Sequence, residues 1–437
     1  MAPAAIPDSL PEVAITMLNA LERPVAPPSE ARSVLAELGP VYLANGFIGF
    51  LFAATGPLSI VLSVGSAGGL SQAQLASWVS GVFFVNGLIT LAMSRAYRTP
   101  LCFYWTIPGT VLVGPALQHL PFAEVTGAFY ATGVLILVLG LSGWVGRAMR
   151  AVPMPIVMGM VAGVFLRFGL DLVRALHKDI AVAAPMVGAF LLLSAVPRLG
   201  RRLPPLIGAL IVGAPIVVWL GRAHGAALGS LQVAWPMLQT PSWSLAAMIE
   251  LVVPLAITVL VVQNGQGIAV LHAAGHRVPV NAMTVMCGIG SLLAAGVGAA
   301  STCLTGPTNA LLTHGGERGR QYTAAIVTGV LSIVLGLVAP AVTGLMLATP
   351  KAFITTLAGL AMLRVLQGAF VTSFKDRFAL GALVAFLVTV ADLPLLNIGA
   401  AFWGLVAGIA ASWLLERSDF RAMRHAWPPD ADRPPAQ

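Results

Sequence analysis

Apolar stretches of membrane-crossing length recur from about residue 40 to residue 416. A helix needs roughly 20 consecutive apolar residues to cross a bilayer, and a soluble fold has no use for so many. The chain is 58% hydrophobic and 9% charged, where roughly a quarter charged is usual for a soluble domain. The pattern therefore predicts an all-α polytopic membrane protein. Segments are read at 40–64, 73–94, 106–118, 122–145, 153–175, 180–197, 204–221, 243–271, 280–299, 306–314, 321–348, 351–370, 378–394 and 397–415. That makes fourteen, of which the third and tenth are about half the usual length. Residues 1–39 and 417–437 are expected to be cytoplasmic tails, with seven-segment repeats at 40–222 and 243–416. No signal-peptide pattern opens the chain; Pro11–Leu21 reads as a short interfacial helix or as a loose tail.

The formal net charge of +8 reflects topology rather than nucleic-acid binding. With the N-terminus inside, eighteen of the 24 Lys and Arg fall on cytoplasmic connections and four outside; Arg167 and Arg364 lie within segments. This positive-inside bias places both termini in the cytoplasm of a bacterial-type inner membrane. Cys102, Cys287 and Cys303 make neither a disulfide framework nor a metal spacing and read as buried small hydrophobes. No cofactor is expected.

The two halves echo one another. Pro108 and Pro307 are 199 residues apart, Arg167 and Arg364 197, and Gly56 and Gly265 209. Seven segments separate equivalents. Because seven is odd, the halves have opposite membrane orientations, the inverted-repeat plan of many secondary transporters. The half-length third and tenth segments open with Trp105-Thr106-Ile107-Pro108-Gly109-Thr110 and Leu304-Thr305-Gly306-Pro307-Thr308-Asn309. Proline suits a first helical position, and the amides after it have no intrahelical acceptor. Two such helix starts meeting near the midplane favour an anion or a polar substrate without a lysine or arginine; the alternative is two proline kinks in packed helices. Tyr104, Trp105 and Phe52 are candidates to stack on a flat ring. Gln263-Asn264-Gly265-Gln266-Gly267 interrupts the eighth segment, with Gln263 and Asn264 facing substrate or bonding neighbouring helices. Its counterpart in the first segment carries Thr55 and Ser59 among small residues. Ionisable residues within segments are functional candidates. Asp171 reads as a partner of Arg167 or a proton carrier, Glu250 and Asp392 as interfacial groups or proton carriers. Gly404-xxx-Gly408 reads as a helix-packing motif.

At Tyr97-Arg98-Thr99-Pro100, Trp105-Thr106-Ile107-Pro108-Gly109, Leu166-Arg167-Phe168-Gly169-Leu170, Gln263-Asn264-x-x-Gly267 and Gly399-Ala400-Ala401-Phe402-Trp403-Gly404-Leu405, the chain resembles the benzoate/proton symporter family. The resemblance covers residues 42–415. It implies a fold shared with nucleobase–cation and sulfate-type carriers, and substrate contacts from the third, eighth and tenth segments. It also implies a core domain (segments 1–4 and 8–11), a gate domain (5–7 and 12–14) and a homodimer through the gate. Gln266 stands where the family usually has proline, and residues 302–309 depart from its small-residue run. The expectation is import of benzoate or a similar aromatic carboxylate with protons, in contact with membrane lipid and with no nucleic-acid partner. The alternatives are a carrier of another organic anion or a nucleobase, or an anion channel. No metal cluster, nucleotide loop or activated nucleophile points to an enzyme.

Overall fold

The computed structural model describes residues 21–24, 31–146, 153–196, 198, 203–221, 233–235, 237–393, 395 and 400–425; most of Pro11–Leu21 lies outside them. The elements in chain order are α1 (Ala31–Glu37), α2 (Pro40–Ala67), α3 (Gln72–Tyr97), β1 (Phe103–Trp105), α4 (Ile107–Ala116), α5 (Phe122–Ser142), α6 (Met154–Lys178), α7 (Ile180–Ala195) and α8 (Pro205–Trp219). There follow α9 (Leu245–Ala273), α10 (Val280–Gly296), β2 (Thr302–Leu304), α11 (Gly306–Leu312), α12 (Tyr322–Leu337), α13 (Ala339–Leu347), α14 (Lys351–Phe374), α15 (Ala379–Ala391), α16 (Ala400–Leu415) and α17 (Arg417–His425). Among the described residues seven helices are long and apolar enough to cross a membrane, and six more of 10–17 residues are apolar.

Local chemistry sets the helix limits. Ser71 caps α3 reciprocally with Gln74, which satisfies two otherwise unpaired donors. Gly143 takes the left-handed conformation that ends α5. The helices pack as two groups. One contains α2–α5 and α9–α13, the other α6–α8 and α14–α16; α14 and α8 touch α2, and α16 touches α9, where the groups meet. Gly404 and Gly408 let α16 approach α15: a Cβ on Gly408 would lie 2.6 Å from the Gly381 carbonyl oxygen.

Two expectations need correcting. The fold is not purely helical, because β1 and β2 pair antiparallel, with Phe103 opposite Leu304 and Trp105 opposite Thr302. Extended backbone inside a membrane protein must bond its own N–H and C=O groups. Two such segments meeting in the interior solve this by bonding each other. Nor is α9 interrupted at 263–267; it continues through two π-helical stretches, Met248–Val252 and Thr258–Asn264. Pro254 removes the N–H that would reach the Glu250 carbonyl, so the first wide turn has a local cause.

The arginine-rich end is tied together by polar contacts. Arg98 pairs with Glu37 at 2.6 Å, and Arg320 donates to the Glu37 carbonyl oxygen. Burial is the largest influence and raises the Glu37 carboxyl, but hydrogen bonds from Arg98 and Tyr322 and the charges of Arg98 and Arg320 together outweigh it and hold the group below its ordinary value. The Glu22 carboxylate accepts from the Asn281 and Ala282 amides at the start of α10, which ties residues 21–24 to that helix start.

Between α9 and α10, buried His276 contacts the Gln321 side chain at 2.7 Å. Desolvation pushes its imidazole below the usual 6.5 despite that hydrogen bond. A histidine lowered in the folded state favours folding above its unfolded value and loses that contribution as pH falls through the folded one. Thermal stability in detergent should therefore fall as pH drops below about 6.5. His276→Gln should flatten that part of the melting-temperature profile.

Candidate substrate site

The two short helices start from the two ends of one ladder. The Thr106 amide donates to the Ser301 carbonyl oxygen at 2.9 Å, and the Thr305 amide to that of Cys102 at 3.2 Å. These bonds are related by the same local two-fold that relates β1 to β2. Side chains hold the outer edges. Thr90 accepts from the Phe103 amide, Ser291 from that of Thr302, and Asn264 Oδ1 from that of Leu304 at 2.8 Å. Asn309 bridges β1 to α11: its Oδ1 accepts from the Cys102 amide at 3.0 Å, and its Nδ2 donates to the Cys102 and Thr305 carbonyl oxygens at 3.2 and 2.6 Å.

Between the helix starts lies a cleft with about 290 Å³ of space between its atoms, lined by Phe52, Ala53, Pro57, Tyr104, Trp105, Ile107, Gln263, Thr305, Pro307 and Thr308. Its walls are mostly apolar, and no charged side chain lines it. Phe83, Tyr104 and Trp105 pack edge to face, with ring centroids 5.2–5.6 Å apart. The Tyr104 hydroxyl is taken by Ser332 at 2.6 Å. Two lining groups, Trp105 Nε1 and Thr305 Oγ1, are buried with no hydrogen-bond partner. Both atoms can donate a hydrogen bond.

The helix starts differ. Thr106 caps α4 by accepting from the Gly109 amide at 3.1 Å and donates to Thr258. Thr305 makes no cap on α11. The side that carries the unpartnered hydroxyl is thus also the side with an uncapped first turn.

Of the residues expected at the site, Phe52, Tyr104, Trp105, Gln263, Thr305, Pro307 and Thr308 line the cleft; the others do not. Thr55 and Ser59 bond carbonyls of their own helix, as hydroxyls in apolar helices do. Thr110 likewise bonds the Thr106 carbonyl oxygen. Thr106, Asn264 and Asn309 are bracing groups, and Pro108, Gly109 and Gly306 shape the turns. Ile107, at the start of α4, lines the cleft without having been singled out. Its only sequence signal is its place between β1 and Pro108.

The ionisable residues also move. Asp171 pairs with Arg174 at 2.8 Å on an exposed face rather than with Arg167, because i and i+3 also share a helix face. Asp392 is exposed at the end of α15, in a left-handed conformation. Glu250 is buried, 5% exposed, with its Oε2 2.9 Å from His119 Nε2. His119 lies 131 positions away in sequence, and its own neighbourhood gave no sign of the contact.

Solved structures share this architecture. The transmembrane domain of the cyanobacterial bicarbonate transporter BicA superposes with a TM-score of 0.58 at 17% identity, covering 84% of this chain and 97% of that one. SLC26A9 superposes at 0.59 and 15% identity, covering 85% and 65%. Among curated sequences, inner membrane protein YdcO of Escherichia coli (strain K12) is 33% identical over 383 residues, 86% of this chain and 95% of that protein. The benzoate membrane transport protein of Acinetobacter baylyi (strain ATCC 33305 / BD413 / ADP1) is 27% identical over 382 residues, 85% and 94%. The BenE family model, benzoate membrane transport protein, matches residues 36–414. The chain is thus a multi-pass membrane transporter rather than an enzyme, and it belongs to the benzoate membrane transport protein family.

Proposed function

We propose that this transporter imports benzoate or a close aromatic carboxylate together with protons. The observation that carries the reading is the cleft itself: aromatic and proline walls for a flat ring, beside unpartnered donors on Trp105 and Thr305 for a carboxylate. Gln263 adds an amide to the same wall. An uncharged cage suits an anion that must be released again, because a buried lysine would hold it too well. The family match and the anion-transporting fold neighbours support the same ligand class.

In this reading the chain has fourteen segments in a seven-plus-seven inverted repeat, with α4 and α11 as half-helices. The arginine-rich end faces the cytoplasm. The group with α2–α5 and α9–α13 carries the site, and the group with α6–α8 and α14–α16 is the gate it moves against, through which two copies would pair. Proton coupling has an electrical reason. An anion entering a negative-inside cell works against about 2.3 kcal/mol per charge per 100 mV, and one co-transported proton cancels that charge.

The test is uptake of labelled benzoate into proteoliposomes under an imposed pH gradient, competed by uracil, sulfate and other aromatic acids. Saturable, gradient-driven accumulation of benzoate is expected. Accumulation of another solute in its place overturns the substrate, and benzoate current without dependence on the proton gradient makes the protein a channel.

A further inference from the structure

The His119–Glu250 pair lies outside the benzoate cleft, with Glu250 buried and His119 half-buried, and both imidazole nitrogens lie within hydrogen-bond distance of an oxygen. His119 Nδ1 lies 3.2 Å from the Pro115 carbonyl oxygen, and Nε2 lies 2.9 Å from Glu250 Oε2. Both ring nitrogens thus face acceptors, and a neutral imidazole can donate to only one of them. One further proton, on the imidazole or on the carboxyl, lets both contacts be hydrogen bonds and makes the pair neutral overall; without it the pair carries one negative charge and one of the two contacts goes unsatisfied.

The surroundings turn this into a coupling device. Glu250 lines a second cleft, formed with Leu112 and Pro115 of α4, Leu251 of α9, and Ala400–Phe402 of α16. α16 belongs to the other helix group, so this cleft lies where the two groups meet. Among the described residues of the elements packed against this turn of α9, α5 brings the titratable groups Glu124 and Tyr130, and α4 and α16 bring none. α4 joins the two clefts: from Ile107 to Pro115 its rise is about 12 Å.

We infer that His119 and Glu250 together form the proton-carrying site of this transporter, loaded and emptied as α16 moves over the α4–α9 cleft. The assignment rests on the proton-coupled import proposed above. A proton from water binds the exposed anionic pair; the neutral pair is then covered by α16 while benzoate occupies the other end of α4. Loss of the proton to water on the far side restores the anionic pair. A buried unpaired charge is strongly penalised and a neutral pair much less so, so the covered state favours the protonated pair.

Wild type, Glu250→Gln and His119→Gln are reconstituted with labelled benzoate outside and a trapped pH dye inside. Under an inward gradient of about one pH unit, wild type should accumulate benzoate about tenfold at one proton per anion, with acidification of the lumen. In both variants accumulation should fall to simple equilibration, the dye signal should vanish, and benzoate exchange should lose its pH dependence. Gradient-driven accumulation retained by either variant overturns the shared-proton assignment. Absence of benzoate uptake by wild type overturns the proposed function instead. Each variant removes the same proton, so one that reconstitutes suffices.

Discussion

Asn309→Ala should unfold this protein's centre rather than merely weaken its ligand binding. The side chain makes three hydrogen bonds, all to backbone, and joins the approach to β1 with the start of α11. It is fully buried. Alanine leaves the Cys102 amide without its acceptor, and an orphaned buried donor costs about 1–3 kcal/mol. The small void adds to this, for a total of about 3 kcal/mol. A loss of that size is a large share of an ordinary domain's margin. The measurement is thermal unfolding and monodispersity in detergent without substrate. A variant as stable as wild type but defective in benzoate binding would make Asn309 a ligand contact and undo the bracing role.

That outcome marks where sequence reading reached its limit. The helix starts at Pro108 and Pro307 were legible because proline position and segment length are local properties. The likeness of the two halves was legible because matched motifs recur along the chain at a nearly constant offset. What escaped was whatever depends on contacts across some two hundred residues. Pairing of β1 with β2 is such a contact; three-residue strands carry no usable periodicity. Once the strands pair, Asn309 and Asn264 are drawn to their edges, so two amides that looked like ligand donors satisfy backbone instead. Thr110 and Thr55 escaped for the opposite reason. A threonine in an apolar helix can always bond the carbonyl one turn back, and the sequence does not distinguish that from a hydroxyl turned to a ligand. Glu250 reads as an edge group until His119 arrives from the other side of the fold.

Thr305→Val should do the reverse of Asn309→Ala: leave the empty protein at least as stable and cost it its ligand. The Thr305 hydroxyl is buried on the cleft wall with no partner, and the residue makes no cap on α11. Valine keeps the shape and removes an unsatisfied polar atom, a change that is neutral or stabilising when no protein hydrogen bond is lost. A carboxylate in the cleft would lose a charge-assisted hydrogen bond of about 1.5–3 kcal/mol, so benzoate affinity should fall about tenfold to a hundredfold. Thr106→Val provides the contrast. Its hydroxyl is already engaged with the Gly109 amide and with Thr258, so its loss should show in the melting temperature before substrate binding. Calorimetric binding of benzoate and thermal unfolding of the same samples separate the two effects. If Thr305→Val binds benzoate as wild type does, the carboxylate does not sit at the α11 side of the cleft. The asymmetry between the two helix starts then has no bearing on how the anion is held.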